Sequence, residues 1–274
     1  MRAALSPGEA RAPEAVEYPL RPEELPRAAF TKGKYLVRCA RTPAELDAVL
    51  RLRFEVFNLE LNEGLESSFL TGRDLDEFDL TCHHLLVLDA ETEQTVGTYR
   101  LRTGEAARDA GGFYSAGEFD LSVLPPQVME GAVEVGRACI AREHRNKQVL
   151  FLLWKGLAAY MLHNRKRYFF GCCSLPTQDA REGLRALNQL QRQGHLHPTL
   201  CVTPLPGFEC VPEGYFVVDG QEAALPRLFQ TYLRFGAKVC GPPAIDRRFK
   251  TIDFFALFDA REMDARTRQL FFGA

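Results

Sequence analysis

The chain has 274 residues, of which 46% are hydrophobic and 26% are charged, and its formal net charge is −2. These values are typical of a soluble globular protein with one large domain or two small ones. The near-neutral charge excludes a strongly basic nucleic-acid-binding protein, so partners must be inferred from local patterns.

Residues 1–33 are rich in Pro, Ala, Glu and Arg and show no apolar periodicity, which predicts a flexible or loosely packed arm outside the core. No internal repeat or linker divides the rest, so residues 34–274 are predicted to form a single domain. The longest apolar run, 149–162, contains Lys155 and is shorter than the ~20 residues that span a bilayer. We therefore expect a buried helix there and a cytoplasmic protein.

The elements of this domain alternate between strand and helix patterns. Thr42, Pro43 and Glu45 form an N-terminal capping signal for the first helix. The predicted elements, in chain order, are a strand at 34–40, a helix at 42–57, an antiparallel strand pair at 84–90 and 95–103, a strand at 132–141, a helix at 149–164, a strand at 167–175, helices at 179–193 and 226–235, and a strand at 253–259. The strand–helix–strand unit at 132–175 requires a parallel pair, so the sequence predicts an α/β fold with a mixed sheet.

Eight cysteines are present, but several lie inside apolar runs and no signal peptide pattern is seen, which favours buried cytosolic thiols over disulfides. There is no CxxC pair, and "TCHH" and "HLHPTLC" lack the spaced ligand pairs of a structural zinc site. We expect no bound metal.

Charged residues inside apolar elements are the strongest functional signal. Glu134 and Arg137 lie in a strand that otherwise contains Ala, Val, Gly, Cys and Ile, and burying either charge alone would be costly. A bulge at Gly136 could bring them to one face and free a backbone N–H. They are either functional or a buried ion pair that fixes strand register.

Four further charged residues adjoin apolar sequence, namely Arg53, Asp76, Asp79 and Arg100. Taken alone, each of them is interpreted as a surface charge at the end of a helix or strand. Together with Glu134 and Arg137 they suit a zwitterionic substrate, because arginine binds a carboxylate bidentately and acids bind an ammonium group.

In this order "RLRFEVF", "DEFD", "GTYRL" and "EVGR" resemble the pattern of acyl-homoserine lactone synthases and N-acyl amino acid synthases, which share the GNAT acyltransferase fold. Longer segments, such as "GGFYSAGEFDLS", "EVGRACIAREHRNKQVLFLLWKGLAAY" and "YLRFGAKVCGPPAIDRRFKTIDFFALFD", resemble hemolysin-like GNAT enzymes that include L-ornithine and glycine N-acyltransferases of aminolipid biosynthesis. The resemblance covers residues 35–259 and implies a twisted central sheet flanked by helices.

The resemblance also implies chemistry. Family enzymes transfer a fatty or 3-hydroxyacyl group from acyl carrier protein to an amine by direct attack on the thioester, without metal or bound cofactor. It implies catalytic roles for Glu134 and Arg137, and substrate-binding roles for Arg53, Asp76, Asp79 and Arg100. On these grounds Glu134 is expected to be the base, a backbone N–H near 137–139 the oxyanion donor, and neither Cys139 nor Cys172 a nucleophile.

The turn between the predicted strand and helix, at 141–150, contains no glycine, although glycine-rich turns hold the coenzyme A pyrophosphate in common GNAT enzymes. It carries Arg142, Arg145 and Lys147 instead. We expect this turn to receive the single phosphate of a carrier's pantetheine arm at the helix N-terminus and to attract the acidic carrier, with Lys155 and 165–167 as an extension of the patch. Solvated surface charge is the alternative.

Three other functions are alternatives. One is an acyl-homoserine lactone or N-acyl amino acid signal synthase, and the second is a non-enzymatic effector. The third is an O-acyltransferase, which typically carries an HxxxxD motif, and no such motif begins at His144. Ornithine is the first choice of acceptor and glycine the second. The acid that would discriminate them stays open among Asp76, Glu77, Asp79 and Glu118. Peripheral membrane contact through Leu228, Tyr232 and Phe235 also stays open, with core packing as the alternative.

Overall fold

The computed structural model describes residues 18–210 and 221–273. Its strands are β1 (Phe30–Lys32), β2 (Tyr35–Cys39), β3 (His83–Asp89), β4 (Thr95–Thr103), β5 (Ala132–Ile140), β6 (Tyr168–Leu175), β7 (Lys238–Val239), β8 (Ala244–Asp246) and β9 (Thr251–Asp259). Its α-helices are α1 (Pro43–Arg53), α2 (Gly104–Asp109), α3 (Pro126–Gly131), α4 (Lys147–His163), α5 (Ala180–Arg192), α6 (Arg227–Arg234) and α7 (Ala265–Phe272).

The strands form one mixed sheet in the order β1-β2-β3-β4-β5-β6-β9-β7, and β8 also pairs with β9. All neighbours are antiparallel except β5 and β6, which the crossover through α4 makes parallel. The largest core cluster packs α4 against one face, through residues such as Leu152, Trp154 and Leu157. The predicted mixed α/β sheet is confirmed.

The parallel pair β5–β6 is short. Its register covers Ala132–Glu134 against Tyr168–Phe170, while β6 continues to Leu175 fully paired with β9. The two strands therefore diverge after three residue pairs and leave a gap in the middle of the sheet. Gly171 lies where they diverge, and a Cβ at this position would lie 2.2 Å from the carbonyl oxygen of Val135.

A β-bulge follows Gly136 in β5. Thr98 stands opposite Cys139 and Arg100 opposite Gly136, so Tyr99 alone faces both Arg137 and Ala138. Arg137 has a φ of 49°, in the left-handed region that L-residues rarely adopt. The predicted bulge is confirmed, one residue beyond Gly136, and its conformation turns Arg137 toward the side of the sheet that carries Arg100.

The predicted elements are present, with shifted ends. The helix expected from residue 149 begins at Lys147, because the Asn146 side chain accepts hydrogen bonds from the N–H groups of Gln148 and Val149. The helix expected to reach residue 57 is α-helical only to Arg53 and continues as a π-helical segment, Phe54–Glu60. Six short or terminal elements were missed: β1, β7, β8, α2, α3 and α7.

The predicted N-terminal arm divides into two parts. Its residues 1–17 lie outside the described residues. Its residues 18–33 contain edge strand β1 and contribute two buried side chains, Tyr18 and Leu25, to the core. The Tyr18 hydroxyl also lies 3.1 Å from Nδ1 of His84. This part therefore packs on the domain, which its proline-rich composition did not reveal.

Within the described residues, no helix is both long and apolar enough to cross a membrane.

Candidate active site

A cavity of about 820 Å³ passes through the gap between β5 and β6. Consecutive residues of both strands line it, from Glu134 to Ile140 and from Phe169 to Ser174, so it is bordered by side chains of both sheet faces. One side is apolar, with Leu150, Leu153 and Trp154 of α4. The other side is polar. The volume is in the range of small-molecule sites, and the gap allows two ligands to meet from opposite faces.

Below the polar side lies a buried ionic network centred on Arg53. The Arg53 side chain is 0% exposed; its Nε donates to Asp74 at 2.8 Å, and its Nη1 and Nη2 donate to Asp79 at 2.6 and 3.1 Å. The N–H of Asp76 also donates to Asp79, at 2.8 Å. Arg53 does not line the cavity. Its guanidinium is fully engaged in holding two carboxylates.

Arg100 and Arg137 complete this network from β4 and β5. Arg100 Nη1 lies 2.7 Å from both oxygens of Asp76 and 3.1 Å from Asp79, and Arg137 Nη2 donates to Asp76 at 2.8 Å. Three guanidinium groups thus meet three carboxylates, which balances the buried charge. Unlike Arg53, both Arg100 and Arg137 line the cavity, and Arg137 stacks 3.9 Å from the centre of the Phe249 ring.

The pKa values of the network follow from burial and pairing. Burial alone would raise the pKa of Asp79, but Arg53 and then Arg100 outweigh it and hold that pKa well below its usual range. Burial lowers the pKa of His84 to about 4, although its Nε2 lies 3.3 Å from Asp79. His84 therefore adds no positive charge to the network near pH 7, and the cations that hold Asp79 are Arg53 and Arg100.

Glu134, 6% exposed, lies at the point where β5 and β6 diverge and lines the cavity. It is not paired with Arg137. Its Oε2 accepts from the N–H of Tyr114 at 2.8 Å, and its Oε1 accepts from the N–H and the hydroxyl of Ser115, both at 2.7 Å. The alternative of a Glu134–Arg137 ion pair is therefore wrong, because each group has other partners.

The thiols near the site are not activated. All eight cysteines are free. Burial raises the pKa of Cys139 to about 12, and burial followed by the charge of Glu118 raises that of Cys172 well above its usual value. Cys172 donates a long hydrogen bond, 3.6 Å, to the Ser115 hydroxyl. Neither thiol has the lowered pKa that a nucleophilic cysteine needs.

The basic turn lies at one mouth of the cavity, which Arg145, Asn146 and Lys147 line. Arg145 is bound to Glu60 through two contacts of 2.6 Å, whereas Arg142 and Lys147 are exposed. Asn146 already occupies two N–H groups at the start of α4. Arg227 of α6 is exposed and lines the cavity as well.

Three of the four basic residues that were expected to extend this patch have partners elsewhere, and the fourth, Arg165, is exposed just beyond the C-terminal end of α4, at the opposite end of that helix from Lys147. Lys155 donates to the carbonyl of Phe271, Lys166 to Glu105, and Arg167 pairs with Asp259. The α6 face considered for membrane contact is used in packing. Tyr232 is hydrogen-bonded to Tyr99, and Phe235 packs on Trp154.

Sequence reasoning missed Asp74, Ser115 and two acids near β9, Asp246 and Asp253. Asp74 lies two residues before the "DEFD" motif, so its proximity was a usable signal. Asp253 stands at the head of an apolar strand, as Glu134 does in its own strand, and that parallel was a signal as well. Ser115 had none, because a serine in a loop is common.

Comparisons with known proteins agree with this architecture. The family described as acetyltransferase (GNAT) domain matches residues 52–155, which include the whole network and the bulge, and the fold is a GNAT fold. The L-ornithine N(alpha)-acyltransferase of Rhizobium meliloti (strain 1021) is 34% identical over 240 residues, which cover 84% of this chain and 81% of that protein. That of Brucella abortus (strain 2308) is 34% identical over 253 residues, covering 85% and 87%.

Solved structures with a similar course of the chain include two acyl-homoserine lactone synthases. MesI, described as CoA-dependent, has a TM-score of 0.49 at 12% identity and covers 84% of this chain and 89% of its own. The AHL synthase LasI has a TM-score of 0.48 at 12% identity, with coverage of 89% and 97%.

Proposed function

Since the chain belongs to the family of L-ornithine N(alpha)-acyltransferases, we propose that this acyltransferase moves a fatty or 3-hydroxyacyl group from acyl carrier protein to the α-amine of ornithine. The observation that carries the proposal is the cavity through the β5–β6 gap, apolar on one side and charged on the other. An acyl thioester and a zwitterionic amino acid need these two environments, and the gap is where their reacting atoms meet.

The acyl chain takes the apolar side. Leu150, Leu153, Trp154 and Leu157 of α4 line it, and Tyr99 of β4 lies across from them. A chain of methylene groups gains about 0.8 kcal/mol for each methylene removed from water. The mouth beside Lys147 leads into this side, so a pantetheine arm entering there delivers its thioester to the bulge in β5.

The α-carboxylate of the acceptor is assigned to Arg100 and Arg137, the two network arginines that line the cavity. Arg53, Asp76 and Asp79 act as positioning residues in this proposal. A contact between Arg53 and the substrate would require loss of its bonds to Asp74 and Asp79. The network therefore holds the two cavity arginines in a fixed orientation, which favours bidentate binding of a carboxylate.

Glu134 is assigned as the base, with Ser115 between it and the amine. The Ser115 hydroxyl donates a hydrogen bond to Glu134 and accepts one from the Cys172 thiol, so one lone pair remains for an N–H of the acceptor. The α-ammonium first releases one proton to solvent, so the attacking group is the neutral amine. As the amine nitrogen forms its bond to the thioester carbon, a second proton passes to Ser115 and the Ser115 proton passes to Glu134. Collapse of the tetrahedral intermediate breaks the C–S bond, and the departing sulfur takes up the proton that Glu134 received, which returns Glu134 to its carboxylate form.

The oxyanion that forms on the thioester carbonyl is assigned to a backbone N–H of the bulge at Arg137 and Ala138. A bulged residue is left out of the regular strand ladder, so its N–H can be directed into the gap. Loss of such a donor in other enzymes costs roughly 3 kcal/mol in transition-state stabilisation. No bound cofactor and no metal enters this scheme.

Carrier docking is assigned to the mouth of the cavity, where Arg142, Lys147 and Arg227 are exposed. These three cations suit the acidic face of a carrier protein, and their attraction should raise the encounter rate at low salt. Because Asn146 caps the first N–H groups of α4, the phosphate of the pantetheine arm is assigned to side-chain cations. The enzyme then acts in the cytoplasm, at or near the membrane that receives its amphiphilic product.

The test compares acyl carrier protein and coenzyme A carrying the same acyl chain, with L-ornithine as acceptor. Purified enzyme should use the carrier thioester with a kcat/KM at least about tenfold higher, and 0.5 M salt should reduce this preference. Arg142→Glu with Lys147→Glu should raise KM for the carrier thioester more than KM for acyl-coenzyme A, because the two donors share the pantetheine phosphate and the carrier adds an acidic protein face.

The matched control is Arg165→Glu, an exposed cation outside the cavity lining. Its carrier KM should equal that of the unsubstituted enzyme. Carrier docking would be refuted if the enzyme used the two donors equally. It would also be refuted if KM for the carrier did not change when Arg142 and Lys147 are both replaced by Glu. A lack of any acylated amino acid with either donor would refute the proposed function itself.

A further inference from the structure

Four acids that the ionic network does not use lie at the polar side of the cavity. Glu63, Asp246 and Asp253 line it, and Glu118 lies beside Asp253. A carboxylate oxygen of Glu118, one of Asp253 and the sulfur of Cys172 all lie within 4.8 Å of one another. The group opens to the cavity through Glu63, Asp246 and Asp253, and it brings several acids close together.

Two oxygens in this group have no hydrogen-bond partner. They are Oδ1 of Asp253 and Oε2 of Glu118, on residues that are only 3% and 4% exposed. Within residues 18–210 and 221–273, no Lys, Arg or His lies within salt-bridge distance of these two acids. Buried acids are normally paired, so these two lack a cation that the folded chain does not supply.

The pKa values of these acids also indicate that a cation is missing from the group. Burial, then the charges of Asp253 and Asp246, raises the pKa of Glu118 to about 9. Burial also raises the pKa of Asp253; hydrogen bonding to Ser174 and to Glu118 offsets this in part, and the charge of Asp246 adds to it. Without a cation, the group retains a proton near neutral pH; a bound cation would replace that proton.

We propose that Glu118 and Asp253, with Asp246 beside them, bind the side-chain ammonium group of a diamino acid acceptor. The inference rests on the proposed function and specifies its acceptor subsite. It assigns the ornithine specificity to Glu118, one of the four acids left open by the sequence, and to Asp253, which was not among them. Asp76 and Asp79 are occupied by arginines instead.

The position of the subsite fits the length of ornithine. The Ser115 hydroxyl, the proposed contact of the α-amine, lies 3.6 Å from the Cys172 sulfur, which lies within 4.8 Å of the unpaired acids. The side chain of ornithine spans about 5 Å from Cα to its terminal nitrogen. An ornithine with its α-amine at Ser115 therefore reaches Glu118 and Asp253 with its ammonium group.

The chemistry of the group favours an ammonium ion over a metal ion. The Cys172 thiol already donates to the Ser115 hydroxyl at 3.6 Å, so metal binding through its sulfur would require loss of that hydrogen bond and of the thiol proton. One oxygen of Asp246 is already engaged by the N–H groups of Arg248 and Phe249. An ammonium group has three N–H donors for the two free carboxylate oxygens, with one left for water or the cavity wall.

The first test needs no variant. L-Norvaline has the carbon chain of L-ornithine without its ammonium group, so the two are compared as acceptors with the unsubstituted enzyme. We expect kcat/KM to favour ornithine by about 10²-fold or more, because norvaline leaves two buried acids unpaired. Glycine, which lacks the side chain, should be as poor as norvaline.

The second test changes the subsite. Asp253→Asn and Glu118→Gln should each reduce the ornithine-to-norvaline ratio of kcat/KM at least tenfold, mostly through KM for ornithine. A general loss of folding or catalysis would lower kcat/KM for both acceptors by the same factor and leave the ratio unchanged. Glu66→Gln, which neutralises an exposed acid outside the cavity lining, is the matched control and should keep the full ratio.

The outcomes separate this inference from the proposed function. Acylation of ornithine and norvaline at equal rates by the unsubstituted enzyme would refute the subsite and leave the N-acyltransferase function standing. Acylation of neither would refute both. A stoichiometric metal ion in the purified enzyme that Asp253→Asn removes would also overturn the inference, since the acids would then be metal ligands.

Discussion

The buried ionic network makes a sharp prediction for Arg53→Met. Methionine fills much of the same space without the charge, so the variant leaves Asp74 and Asp79 buried without their guanidinium partner. Asp79 keeps Arg100 at 3.1 Å and the Asp76 N–H at 2.8 Å, but the remaining cation near Asp74 is Arg137 Nε at 3.5 Å. The loss should therefore fall mainly on Asp74.

The expected magnitude follows from this geometry. Removing one partner of a buried ion pair destabilises proteins by about 3–5 kcal/mol, and Arg53 is 0% exposed with three hydrogen bonds to the two acids. For a chain of this size each kcal/mol lowers Tm by roughly 2–4 °C, so Tm should fall by roughly 6–20 °C. Urea denaturation gives the free energy of unfolding directly.

The matched control is Arg51→Met, two residues earlier in α1. Arg51 is also bound to an acid, Asp47, but its side chain is 57% exposed. Exposed pairs four residues apart in a helix contribute about 0.3–0.5 kcal/mol. The two variants thus remove the same group from the same helix and differ in burial.

The pH dependence adds a second test. In the unsubstituted chain Arg53 and Arg100 hold the pKa of Asp79 well below its usual range, so its contribution to stability is present above about pH 4 and is lost as the pH falls. In Arg53→Met that depression is reduced while burial still favours the neutral acid. The destabilisation should therefore be largest near pH 7 and should shrink as the pH falls below about 4. A loss under about 1 kcal/mol, or one independent of pH, would refute the pairing described here.

Two further predictions concern catalysis and the gap. Glu134→Gln should reduce kcat by about 10²-fold or more, and Ser115→Ala should reduce kcat by less, while the circular dichroism of both variants stays unchanged. If Glu134→Gln turned over at nearly the rate of the unsubstituted enzyme, Glu134 would have no part in the mechanism. Gly171→Ala should destabilise the chain by about 1–3 kcal/mol in urea denaturation, because its Cβ would lie 2.2 Å from the Val135 carbonyl. Gly136→Ala is the control, because nothing lies within 4 Å of its Cβ, and it should change the free energy of unfolding by under about 0.5 kcal/mol. Equal effects at the two positions would contradict the close approach of the strands at Gly171.

Much of the fold could be predicted because it is encoded locally. Strand β4 has its predicted bounds, and α1 begins beside its capping box of Thr42 and Glu45. Strands β7 and β8, of two and three residues, carry too little pattern to be seen. They exist because β9 offers an edge to pair with, which is a property of the assembled sheet.

The site divides in the same way. Glu134, Arg137 and Arg53 could be identified because a charge in an apolar element must have a partner or a function. Their partners could not be identified, since Asp74 and Ser115 reach them only through the folding of separate loops. The choice between Glu118 and Asp79 as the free acid required knowledge of which acids the arginines had already engaged.

The short pairing of β5 with β6 has a mechanical consequence. Strands β1–β5 form one continuous hydrogen-bonded plate and β6, β9, β7 and β8 form another, and within the described residues the two plates share a ladder of three residue pairs. That ladder lies at one end of the cavity, beside Glu134. The width at the open end is therefore set by side chains such as Trp154 and Tyr232, which can repack without breaking backbone hydrogen bonds. The structure therefore separates the end of the cavity that backbone hydrogen bonds fix, beside Glu134, from the end whose width depends on side-chain packing.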